Sequence, residues 1–127
     1  MTSPSATPNT YPYQNEPTWS NSEKAIARRV FDAALKQELQ DVMQKAKQMA
    51  TKISGPADLW HLERYLTERR KDIDRKYEFR ASRLKDVLGR LLYERRVNEQ
   101  ELRGLPEEKL KAIRSFANFL GEDAPGF

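Results

Sequence analysis

The chain has 127 residues, of which 33% are charged and 38% hydrophobic, with 23 Lys and Arg against 19 Asp and Glu and a formal net charge of +4. That apolar share is thin for an independent globule and suits elongated helices with a narrow stripe, which a second chain usually covers; a homodimer or higher homo-oligomer is expected. The lack of cysteine excludes disulfides and thiolate metal sites, no stretch approaches the ~20 apolar residues of a membrane span, and the N-terminus has no secretory pattern, so a soluble cytoplasmic protein is expected.

Residues 1–19 hold four of the seven prolines, no Lys or Arg, and the single acid Glu16. Such a composition cannot bury enough apolar surface to offset its ordering entropy and reads as a disordered arm. The remainder, 20–127, reads as a single all-helical domain.

Ser20 and Glu23 have capping-box spacing, with Trp19 placed before them as a staple. Ile26, Val30, Ala34, Leu35, Leu39, Val42, Ala46, Met49 and Ile53 then recur at helical steps, without Gly or Pro between 20 and 54. A helix over that span is roughly 50 Å long. Ser54-Gly55-Pro56 breaks it, Gly55 suiting a C-terminal cap and Pro56 the first turn of a second helix. The short linker predicts an antiparallel hairpin.

The second stripe is Leu59, Leu62, Leu66, Ile73, Tyr77, Leu84, Val87, Leu88, Leu91 and Leu92, interrupted at Arg69-Arg70 and at Arg80. Gly89 allows a bend, and the pattern leaves open one helix to Arg96 or two in tandem. Asp72 stands four before Lys76 and Asp86 four before Arg90, the supportive order for helical ion pairs. Asn98 and Glu101 have capping spacing. Pro106 opens a last helix with Leu110, Ile113, Phe116, Ala117 and Leu120 as its stripe, which Gly121 should end. No strand-like alternation occurs, and the fold class is all-α.

Catalytic chemistry has little to stand on. His61 is the only histidine and has no evident nucleophile partner; a lone His on a charged helix is usually a surface residue. Asp72 and Asp74 point in different directions on a helix, Asp58 and Glu63 lack a third ligand, and no glycine-rich phosphate loop is present. No catalytic, metal or cofactor site is expected. The runs Arg69-Arg70-Lys71, Arg75-Lys76 and Arg95-Arg96 fit a solvated, salt-bridged face first and a protein-binding face second. Nucleic acid is disfavoured as a partner because both signs are interspersed. Trp60 fits either a hairpin core or a dimer anchor. Arg70, in the stripe register, fits an oligomer contact, with snorkelling to water as the alternative.

The segment from Asp58 to Arg80 carries two specific runs, DLWxL from Asp58 to Leu62 and IDxKYxxR from Ile73 to Arg80, joined by Leu66 and Arg70. It resembles the fluorescence recovery protein family of cyanobacteria. Weaker similarity extends to Ala33–Leu39, to Leu91, to Glu101-Leu102 and to Lys109–Ala112. The resemblance implies an all-helical protein with a stalk over about 20–80 and a small head over about 81–121, dimeric through the stalk. It implies no enzyme activity and no cofactor. It further implies binding of photoactivated orange carotenoid protein, largely through that protein's C-terminal domain, faster return of that protein to its resting form, its release from the phycobilisome, and so an end to photoprotective quenching.

By the same resemblance Trp60 and Arg70 belong to the dimer interface. Arg64 stands where many members carry an acid that pairs with the arginine of the partner subunit, so Glu63 or Glu68 must substitute. Asp86 stands where members carry an aromatic linked to partner binding. The expected interface set is Trp60, Glu63, Arg64 and Arg70, and the expected partner-binding set is Arg80, Arg83 and Lys109. The alternative is a diverged homologue with the same helical scaffold and another protein partner.

Overall fold

The computed structural model describes residues 18–123. The predicted arm therefore lies outside the described residues, except for its last two positions. Those two matter: Trp19 is 5% exposed and belongs to the core, so the folded body begins at least one residue before the sequence boundary at Ser20.

Helix α1 spans Asn21–Thr51. Its start is the predicted capping box: Ser20 Oγ accepts from Glu23 N at 3.2 Å, and Glu23 Oε1 accepts from Ser20 N at 3.0 Å. It stops at Thr51 with Lys52 as its C-terminal cap; Gly55 does not cap it but, in an extended conformation, caps the start of α2, which spans Pro56–Lys76 with proline in its first turn. The linker is fixed by Asp58, whose Oδ2 accepts from both Ser54 N at 3.0 Å and Ser54 Oγ at 3.1 Å. Glu38 of α1 meets Arg69 and Lys76 of α2, as an antiparallel fold-back requires.

The second stripe is two helices, and the break is not at Gly89. Helix α2 ends at Lys76, the chain turns through 77–83, and α3 spans Leu84–Tyr93. Tyr77 and Phe79 in this turn both set their rings edge-on to Phe31 of α1, at centroid distances of 5.9 and 5.2 Å. Those contacts bend the chain back over α1 where a continuous helix would have carried it away. Gly89 has a different task from the one its flexibility suggested. A Cβ there would stand 2.9 Å from both the Ile113 carbonyl oxygen and Phe116 Cβ, so its bare backbone lets α3 press directly on the last helix.

Helix α3 ends with Arg96 N donating to Leu91 O and Arg95 N to Leu92 O, with Arg95 at φ 64°. This is the left-handed helix stop in which glycine is usual. A 3-10 helix over Glu99–Leu102 follows, capped by Asn98 and Glu101 as expected. Helix α4 spans Glu107–Asp123, beginning right after Pro106 but running through Gly121, which does not end it.

The core gathers one half of α1 (Ala27, Val30, Phe31, Ala34) against Leu84, Leu88 and Leu91 of α3, Leu102, and Ile113 of α4. The other half of α1 and most of α2 have only each other. Burial there is correspondingly poor: Leu39, Met43, Leu59 and Leu66 are exposed, and Trp60 is 58% exposed. Among the described residues no helix is long and apolar enough to cross a membrane.

Candidate functional site

Two regions stand out once the helices are placed: the uncovered outer face of the α1–α2 hairpin, and the junction where α2 hands over to α3. On α2, positions 60, 63, 64, 67 and 70 fall on one side of the helix. Trp60, Glu63, Arg64 and Arg70 thus share one strip, and all four are exposed. Glu63 accepts a hydrogen bond from Thr67 Oγ1 at 2.9 Å. Trp60, Arg64 and Arg70 make no side-chain hydrogen bond or ion pair among the described residues. Leu59 and Leu66 flank the strip and are likewise open to water. An exposed indole with neighbouring leucines, beside two guanidinium groups that have no partner among the described residues, is a composition that interface anchors share.

The charged residue that takes the α1-facing position is Arg69, not Arg70. Its Nη2 donates to Glu38 Oε2. Glu38 is 1% exposed and stands in the α1 core register, following Ala27, Phe31 and Ala34. It accepts from Lys76 Nζ at 2.8 Å and from Tyr77 Oη at 2.8 Å, while Arg96 Nε lies 3.4 Å away. Lys76 also reaches Glu94 Oε1 at 2.8 Å, and Arg96 Nη1 donates to Asp41 at 2.9 Å. One buried carboxylate thereby ties α1, the end of α2, the turn after it and the end of α3 into a single knot.

Burial alone would push the Glu38 carboxyl up, but the hydrogen bonds from Lys76, Tyr77 and Arg69 outweigh it and hold the group below the ordinary carboxylate range. Burial, and then donation to Glu38, raise the Tyr77 phenol, which stays protonated. No motif or composition signal marks Glu38 as a site residue. The available signal was its place four residues after Ala34 in an otherwise apolar register, where a charge needs a partner. Lys76, expected to pair with Asp72, and Tyr77, a member of the apolar stripe, turn inward to supply one.

The ion pairs predicted from spacing are therefore rearranged. Lys76 leaves Asp72 for Glu38, and Asp72 pairs instead with Arg75 at 2.9 Å and Arg69 at 3.6 Å. Asp86 pairs with Arg83 at 3.5 Å and not with Arg90. The expected partner-binding trio is split. Arg80 and Arg83 are exposed and both approach Glu78. Lys109 is only 8% exposed: it donates to the Thr18 carbonyl and to Glu23 Oε1, and its ammonium lies 4.7 Å from the centre of the Trp19 ring. It clamps the start of α1 onto α4 and is no part of a surface with Arg80 and Arg83. Among the described residues no three His, Asp or Glu side chains gather as a metal site would need, and His61 is exposed.

An all-helical chain whose distinctive features are an open tryptophan face and a charge-locked junction has the features of a helical interaction module. Comparison with known proteins makes this specific. Residues 19–117 match the family model of the photoprotection regulator fluorescence recovery protein. The chain is 33% identical over 102 residues to the fluorescence recovery protein of Synechocystis sp. strain PCC 6803, covering 80% of this chain and 94% of that protein. It is also similar to the solved structures of the fluorescence recovery proteins from Fremyella diplosiphon, with a TM-score of 0.76 at 32% identity, and from Synechocystis sp. PCC 6803, with a TM-score of 0.76 at 33% identity. In each case 80% of this chain and 99% of the other is covered. The chain belongs to the fluorescence recovery protein family, whose members regulate photoprotection.

Proposed function

We propose that this protein is a non-enzymatic, cytoplasmic regulator that binds photoactivated orange carotenoid protein, speeds its return to the resting form and so ends quenching of the phycobilisome. Binding a transient state better than the resting state is sufficient to bias such a return, and it requires neither a cofactor nor a covalent step. The working unit is a homodimer joined through an α1–α2 stalk, with Trp60 and the flanking leucines as its apolar centre. Arg70 is neutralised across the interface by Glu63 or Glu68 of the other copy, since Arg64 cannot do so. Arg80 and Arg83, at the approach to the helical head, face the partner. Family membership over residues 19–117 carries this reading. It is tested by timing the dark recovery of photoactivated orange carotenoid protein with and without the protein; acceleration supports it, and unchanged kinetics with no complex on a sizing column reject it.

The charges at Arg64 and Asp86 favour one second reading, the same scaffold serving a different protein partner. A pull-down from its own cells that retrieves another protein and no carotenoid protein would select that reading.

A further inference from the structure

Between the last turns of α2 and the α3–α4 pair the chain forms a groove of about 430 Å³. Five cationic side chains and three carboxylates line it, with Val87 and Phe116 as its apolar back. Four of the cations are occupied. Arg69 and Lys76 are held by Glu38, Arg75 by Asp72, and Arg83 by Asp86 and Glu78. Arg90 is the exception: it is partly buried and, among the described residues, has neither a carboxylate within ion-pair distance nor a side-chain hydrogen bond. A guanidinium carries five donors in a fixed fork. The groove thus presents, beside an aromatic wall, a guanidinium whose donors no side chain among the described residues accepts.

We infer that this groove receives an acidic side chain from a segment of the regulator's protein partner, with Arg90 gripping the carboxylate and Phe116 covering its aliphatic stem. This rests on the partner-binding reading above. Charge complementarity selects the occupant: the lining is net cationic, and the free group is an arginine, whose fork matches a carboxylate in two-point contact. The site is also preformed. Its α2 and α3 walls are joined by the bridge from Lys76 to Glu38 and Glu94, so little ordering is lost on binding. Arg80 lies outside the groove, whereas Arg83 forms its rim, which places the groove next to the face already proposed to meet the partner.

The test titrates the full ¹⁵N-labelled chain with a decapeptide of glutamate, and separately with one of glutamine, while following arginine side-chain and backbone resonances. The expected result is saturable shifts at Arg90 Nε and Phe116 with the glutamate peptide only. Arg90→Gln should weaken that binding roughly tenfold, as loss of a charge-assisted contact does, and Arg103→Gln, at an exposed arginine without an ion pair among the described residues, by less than twofold. Equal effects of the two substitutions, or displacement of the peptide by inorganic phosphate at matched charge concentration, overturn the proposal. A second arm measures binding of photoactivated orange carotenoid protein. Binding that is indifferent to Arg90→Gln overturns the groove and leaves the regulatory role intact. No binding by any variant, with the Arg90-dependent peptide response preserved, rejects that role and leaves the groove standing.

Discussion

Glu38→Gln should be the most damaging isosteric change in the molecule. The side chain is 1% exposed and accepts from Arg69, Lys76 and Tyr77, so glutamine keeps the shape but removes the charge and turns an amide donor toward cations. Removing one member of a buried ionic cluster costs about 3–5 kcal/mol, because its partners remain buried without compensation. Here the lower end applies. Lys76 keeps Glu94 at 2.8 Å, and Arg69 is 26% exposed and keeps Asp72 at 3.6 Å. A loss of about 3 kcal/mol follows, which for a body near 100 residues is a fall in Tm of roughly 10–20 °C. Urea unfolding at fixed protomer concentration measures it, since self-association would otherwise shift the midpoint. Asp41→Asn is the control: its carboxylate also pairs with Arg96 but is 62% exposed, and its loss should cost under about 0.5 kcal/mol. A Glu38→Gln penalty below about 1 kcal/mol, or one equal to that of Asp41→Asn, would refute the reasoning.

Acid should reveal the same carboxylate. Its folded pKa is depressed, so its contribution is present above the unfolded value of about 4.3 and disappears as pH falls through the folded value; Tm should drop below about pH 4, and less steeply in Glu38→Gln. Gly89→Ala should destabilise by about 1–3 kcal/mol in thermal melts, because the new methyl meets the Ile113 carbonyl, which cannot move aside like a side chain. Arg95→Gly should stabilise by about 1 kcal/mol in urea titrations by relieving the left-handed φ of 64°.

What the sequence made legible was local. The Ser20–Glu23 and Asn98–Glu101 boxes, the Gly55-Pro56 break and the Pro106 start each depend on neighbours a few residues apart, and each sits where the spacing puts it. What it hid was decided at long range. The interruption of the apolar register at Arg80 allows two helices in tandem but does not fix the turn, which is made at long range by Phe31 and by Glu38, the latter 39 residues from Tyr77. Lys109 looks like a surface charge until the Thr18 carbonyl and Glu23, 86 residues earlier, are brought to it. The same holds for Lys76, whose helical neighbour Asp72 loses to a buried carboxylate on another helix. Trp60 lies between these cases. Pattern and resemblance both mark it, and the fold leaves it open to water, as the proposed dimer contact requires.

The claim that the open face of α2 is where two copies meet is tested most directly by the mass of the purified protein in solution, measured by light scattering across a dilution series. Twice the chain mass for the native protein, falling toward a single chain in Trp60→Ala with helix content preserved, is the predicted result. A native protein that stays at one chain mass at high concentration, or a Trp60→Ala variant as dimeric as its parent, would contradict it.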